Sequence, residues 1–272
     1  MNYETFQPSP DLQPFVKLYW LLEVPAEPNP APQRIVPDGC IELIFNLGDD
    51  IEHITDSETI TQPRTMLLGH ITKSFFIRPT GRVDSFAVRF YPHGFYFLSP
   101  TVPLRTLTDT ETPLANIINP TKAARLEADI AHASSTPGRI AIIESFLRSE
   151  LRDNTSHDTL VALAVDTIFA TKGRGSIGET ITQDQSRRRQ LERRFRTTIG
   201  MSPKQLSRVA RLQAVLRDLL DNPHQPLAQV AQRYNYYDQA HFIKDFKDFT
   251  GVTPQELYRN TSLELSSVFY AP

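Results

Sequence analysis

The chain has 272 residues, enough for two domains, and its 40% hydrophobic and 22% charged content is that of a folded globular protein. A single cysteine, Cys40, excludes an internal disulfide and a multi-cysteine zinc site, and no run reaches the roughly 18 apolar residues of a membrane span. The formal net charge is −2, yet residues 172–260 hold 16 Lys+Arg against 9 Asp+Glu, a local surplus of +7 that leaves −9 for the rest; a basic end on an acidic body results when only one domain meets phosphate.

Met1 to Phe6 shows neither a basic start nor an apolar run, so no signal peptide is expected and the cytoplasm is the default location. Leu18 to Val24 is β-rich, and Pro25–Pro32, with four prolines in eight residues, is a loop. After a Pro37-Asp38-Gly39 turn, Ile41 to Leu47 keeps an apolar side chain at every second position, which predicts a strand with one buried face before Gly48-Asp49-Asp50. Met66–Leu68, Phe75–Ile77 and Val83–Tyr91 are further β-rich runs. Together they predict a barrel- or sandwich-like domain over residues 1–118. Its aromatic residues (Trp20, Phe75, Phe76, Phe86, Phe90, Tyr91, Phe95, Tyr96, Phe97) suffice to line a pocket, although ordinary core packing is the favoured account of them. His53, His70 and His93 lack metal-ligand spacing, and Cys40 at a strand entrance is expected to be buried and inert. No cofactor, metal or catalytic motif is recognised, so an enzyme is not expected.

From Asn119-Pro120-Thr121 the pattern turns helical, with segments at 121–133, 139–152 and 158–170. This predicts a helical connector over 119–154, a helical domain over 155–262, and an α+β chain overall.

The strongest signal is a duplication. Leu191, Phe195, Gly200, Ser202-Pro203 and Leu206 recur 51 residues later as Phe242, Phe246, Gly251, Thr253-Pro254 and Leu257. In each copy an apolar stripe marks one buried helix face, a glycine ends the helix in the left-handed region, and Ser/Thr-Pro caps the next helix. Upstream of the second copy, Leu227, Val230, Ala231 and Tyr234 share a face, Asn235 offers a turn residue tolerant of positive φ, and Asp238 is an N-cap. That is a helix-turn-helix. Between the copies, Leu206, Val209, Leu212, Leu216, Leu219 and Leu220 predict one long amphipathic helix able to hold two recognition helices about one DNA turn apart.

The arrangement resembles the AraC/XylS family of transcription factors, from Ile177 to Tyr258. The resemblance is carried by Leu191-Glu192-Arg193-Arg194-Phe195, Gly200-Met201-Ser202-Pro203 and Tyr236-Tyr237-Asp238-Gln239-Ala240-His241-Phe242. Pro37-Asp38-Gly39-Cys40-Ile41-Glu42-Leu43-Ile44-Phe45 resembles a poorly characterised domain often found ahead of this module. One departure stands out: the scaffold helix of the first unit, Ile177 to Gln185, has little to bury, so loose docking is expected there. With Leu191 and Phe195 facing inward, Arg188, Arg189, Glu192, Arg193 and Arg196 project outward, and the resemblance places Arg189, Glu192 and Arg193 in the major groove. In the second unit Gln239, Ala240, His241, Ile243 and Lys244 lie off the apolar stripe and suit base edges, thymine methyls or phosphate. The resemblance implies double-stranded DNA and RNA polymerase as partners, and a small-molecule effector acting through the first domain. Left open are homodimerisation and a ligand-free alternative, in which that domain only dimerises or recruits a partner.

Overall fold

The computed structural model describes residues 1–55, 57–98, 102–151, 158–175 and 185–257. Its amino-terminal half holds two antiparallel sheets. The first runs in the order β1 (Asn2–Phe6), β2 (Val16–Val24), β9 (Val83–Phe90), β4 (Ile41–Asn46), β7 (Thr65–Leu68), β10 (Glu111–Pro113). The second runs β3 (Gln33–Ile35), β8 (Phe75–Pro79), β5 (Ile51–Ile54), β6 (Thr59–Thr61). Both orders are open, so the domain is not a closed barrel.

Strand β4 corrects the expectation of one buried face, because all six of its residues are buried. It lies between β9 and β7, deep in the sheet. Ile41, Leu43 and Phe45 enter the core on one side together with Phe86, Val88 and Phe90. Glu42, Ile44 and Asn46 point the other way, toward the second sheet.

Helices α1 (Pro120–His132) and α2 (Thr136–Glu150) start at side-chain caps from Asn119 and Ser135, each followed by an early proline. They bury Ala123, Leu126, Ile130, Ile143 and Leu147 in the same core as Leu43 and Phe45. The segment read as a connector is thus packed onto the outer face of the first sheet.

The basic half contains α3 (Thr159–Ala170), α4 (Gln185–Thr198), α5 (Pro203–Asp221), α6 (Leu227–Arg233), α7 (Gln239–Thr250) and α8 (Pro254–Leu257). Helix α5, 19 residues and about 28 Å long, belongs to two cores. Leu206 and Ala210 join Val161, Val165, Leu191 and Phe195 of α3 and α4. Val209, Leu212, Val215, Leu216 and Leu219 join Val230, Phe242, Phe246 and Leu257 of α6 to α8. One rod therefore fixes both units.

The two halves touch. Gly39, at φ 79°, lies so close to α5 that an added Cβ would stand 3.0 Å from Leu206 Cδ1. Val36 is buried among the residues of the second helical core, and Gln213 donates to the Pro37 carbonyl. Arg34 donates to the Thr250 carbonyl at 2.9 Å, and Ser74 N–H donates to the Phe249 carbonyl at 2.9 Å.

Candidate nucleic-acid interface and the cavity behind it

Each feature of the duplication has a structural counterpart. Leu191, Phe195, Phe242 and Phe246 are buried, and Gly200 and Gly251 take φ of 88° and 74°. Ser202 caps α5 and is answered by Gln205 in a capping box; Thr253 and Glu256, 51 residues on, repeat it. That seventh matched pair of positions is readable in the sequence once the offset is known. Position 194 and its counterpart 245 differ in sign but both tie their helix down. Arg194 bonds Asp158 at 3.1 Å, while buried Asp245 accepts from Arg208 of α5 and from the Tyr236 hydroxyl at 3.2 Å. Burial, reinforced by Asp245, raises the Tyr236 pKa. The hydroxyl therefore stays a donor. Asp245 is a residue that the sequence reading did not single out.

In the second unit α6 ends at Tyr234, Asn235 takes φ 56°, and Asp238 caps α7 by accepting from His241 N–H at 2.7 Å. This is the helix-turn-helix the sequence predicts. Because a β-branched residue at that φ is strained, Asn235→Val is expected to cost about 1–3 kcal/mol, while Asn235→Gly stays close to neutral. Thermal melts of the two variants check this; equal melting temperatures contradict a conformational role for the turn.

On α7, Gln239, Ala240, His241 and Lys244 are exposed, His241 lying edge-on to Tyr236, and Ile243 is half-buried against the core. On α4, Arg188, Arg189, Glu192, Arg193 and Arg196 are all exposed, with Arg188 and Glu192 3.7 Å apart one turn along the helix. Every sequence-predicted residue thus lies off the buried stripe of its helix, Ile243 least completely. Tyr237, 92% exposed beside the α7 cap, was not singled out from sequence. Of the first unit's scaffold segment, 177–185, all but Gln185, the first residue of α4, lies outside the described residues.

Behind this half, between the two sheets, is a cavity of about 640 Å³. Its apolar walls include Trp20, Leu22, Ile44, Ile51, Met66 and Ile77. Of the nine aromatics offered as pocket lining, Trp20 and Phe75 line it; Phe86, Phe90, Phe95 and Phe97 are core on the far side of the sheet. At one end Arg89 bonds Glu42 at 2.5 Å and Asp38 at 3.0 Å, and Trp20 Nε1 donates to Glu42 at 3.3 Å. Burial raises the Glu42 pKa against the pull of Arg89. For Arg89 burial acts downward, but Glu42 and Asp38 outweigh it and hold the guanidinium cationic. Cys40 is buried as expected, its thiol pushed up to about 12 by burial. His70, also buried, is lowered to about 4 by desolvation and is neutral.

A complete helix-turn-helix, plus the repeat-related helix of a second on one shared rod, defines a DNA-binding protein. Residues 185–260 match a helix-turn-helix domain and residues 4–113 match a domain of unknown function, DUF6597. The carboxyl-terminal part is a helix-turn-helix domain, and the protein is a DNA-binding regulator. No curated relative matches the chain. Among solved structures the chain is similar to ToxT from Vibrio cholerae, at 12% identity and TM-score 0.42 over 96% of this chain and 100% of that one. A ToxT bound to (E)-4-(8-methylnaphthalen-1-yl)but-3-enoic acid matches at 11% identity and TM-score 0.43, over 94% and 98% of the two chains. An unsaturated-fatty-acid-bound ToxT matches at 13% and 0.38, over 89% and 95%.

Proposed function

We propose that both helical units read duplex DNA, α4 and α7 each entering one of two adjacent major-groove segments, and that a small molecule in the amino-terminal cavity controls this binding. The first part is carried by the duplication: two helices with buried stripes and exposed polar faces, held by one shared rod. Gln239 and Lys244 are the base readers of α7, and Arg189, Glu192 and Arg193 those of α4. Arg188 and Arg196 grip phosphate, and the Tyr237 hydroxyl adds a phosphate contact. Ala240, His241 and Ile243 fill the groove around the α7 readers.

The second part is carried by the Pro37–Cys40 turn. Asp38 and Cys40 line the cavity, while the Pro37 carbonyl and Gly39 seat α5. A ligand that displaces Arg89 or Asp38 shifts the surface on which the rod rests. Such a shift regulates only if the ligand binds the two docking states unequally.

Selection of bound sequences from a random library, with the full chain and its variants, tests the assignment of readers. Lys244→Ala and Gln239→Ala are each expected to relax base preference in one half of the site by about 1–3 kcal/mol, whereas Arg196→Ala weakens all sequences alike. A uniform loss with unchanged preference for Lys244→Ala removes it from the readers.

A further inference from the structure

The cavity has two polar poles with an apolar step between them, set by strand register. Glu42 faces Arg89, Ile44 faces Ala87 and Asn46 faces Ser85 across the β4–β9 pair. Four residues of strand separate the poles, about 13 Å. At the far pole Asn46 is 6% exposed, its Oδ1 accepts from Ser85 at 3.0 Å, and its Nδ2 has no partner among the described residues. A buried amide N–H left unmatched is costly, and here it borders the cavity, so a ligand acceptor would satisfy it.

The near pole is not a site for an anion. Arg89 already serves two carboxylates: with Glu42 ionised the trio carries a net −1, and with Glu42 protonated it is neutral. In neither state is positive charge left over. Glu27 also lines the cavity, so its charged side chains are three carboxylates against the single cation of Arg89.

Accepting the effector reading above, we propose that the ligand is a slender apolar amine, its ammonium at the Glu42–Arg89–Asp38 pole and a hydrogen-bond acceptor about 13 Å away at Asn46. The ammonium donates to the carboxylates while Trp20, Leu22 and Ile44 cover the chain between the poles.

The test is titration calorimetry on the full-length protein with four probes. One is a decane chain with an amine at one end and a hydroxyl at the other; the second carries a carboxylate in place of that amine. The third is decylamine, without the hydroxyl, and the fourth a hexane chain with both groups. The amino alcohol is expected to bind at least about tenfold more tightly than the hydroxy acid and the short chain. Asn46→Leu is expected to remove the amino alcohol's advantage over decylamine while leaving decylamine's own affinity in place, a pattern that a misfolded variant cannot give. Equal or tighter binding of the acid, an advantage that survives Asn46→Leu, or no binding by any probe overturns the ligand class. DNA affinity measured with the probe bound reads the effector role separately. A bound amine that leaves DNA affinity unchanged supports the ligand class and overturns the regulation.

Discussion

Raising ionic strength from about 50 to about 200 mM is expected to lower the protein's affinity for its target duplex by about a thousandfold or more, because each neutralised phosphate releases condensed counterions. The cations are in place for this: Arg188, Arg189, Arg193 and Arg196 on α4 and Lys244 and Lys247 on α7 are all exposed. These six cations, with the base readers Arg189, Arg193 and Lys244 counted beside Arg188, Arg196 and Lys247 because a cation seated in the groove also displaces condensed counterions, predict a slope of log affinity against log salt near −5, at about −0.9 per cation. Replacing Arg188 and Arg196 together by alanine is expected to shallow that slope by about two without changing the preferred sequence. A footprint of the full chain is expected to cover two adjacent major-groove segments on one face of the duplex. Protection of a single segment restricts reading to α7, and a slope near zero removes phosphate binding altogether.

The helical half was legible because its signals are local. A stripe three or four residues apart, a glycine at the helix end and a capped proline each act within a few residues, and the 51-residue offset repeats them. The sheets were legible only in part. Runs such as Val83–Phe90 announce themselves by composition, whereas β6, whose three residues Thr59–Thr61 are all exposed, buries nothing that a pattern could reveal. β4 shows the deeper limit. Alternation in Ile41 to Asn46 reads as a core face and a solvent face, and only the pairing with β9 puts Arg89 opposite Glu42, 47 residues away, and Ser85 opposite Asn46, 39 residues away. The cavity therefore could not be read from local sequence. The docking of Gly39 on Leu206 likewise joins positions far apart in the chain, and glycine in a Pro-Asp-Gly turn already had a sufficient local explanation.

Arg89→Met is expected to cost about 3–5 kcal/mol of stability, the loss typical when one partner of a buried ion pair is removed and the other is left behind. Arg89 and Glu42 are 6% and 7% exposed, so Glu42 cannot turn to water without opening the sheet. The defect has a pH signature whose sign follows from the groups involved. Burial raises the Glu42 pKa and Arg89 lowers it, so removing Arg89 leaves the folded-state value further above the unfolded one. The folded variant then holds a proton that the unfolded chain releases. Its stability is fully present below the ordinary glutamate value of about 4.3 and is lost as pH rises through the raised folded value. Urea denaturation at about pH 5 is therefore expected to show a smaller deficit against the parent protein than at about pH 8. Adding Glu42→Gln keeps an acceptor for Trp20 while removing the charge. The double variant is expected to recover part of the loss and to abolish its pH dependence, since the interaction term belongs to that pair. A deficit that is the same at both pH values, or one that Glu42→Gln deepens, would mean that the loss comes from the packing of the Arg89 side chain and not from a stranded carboxylate.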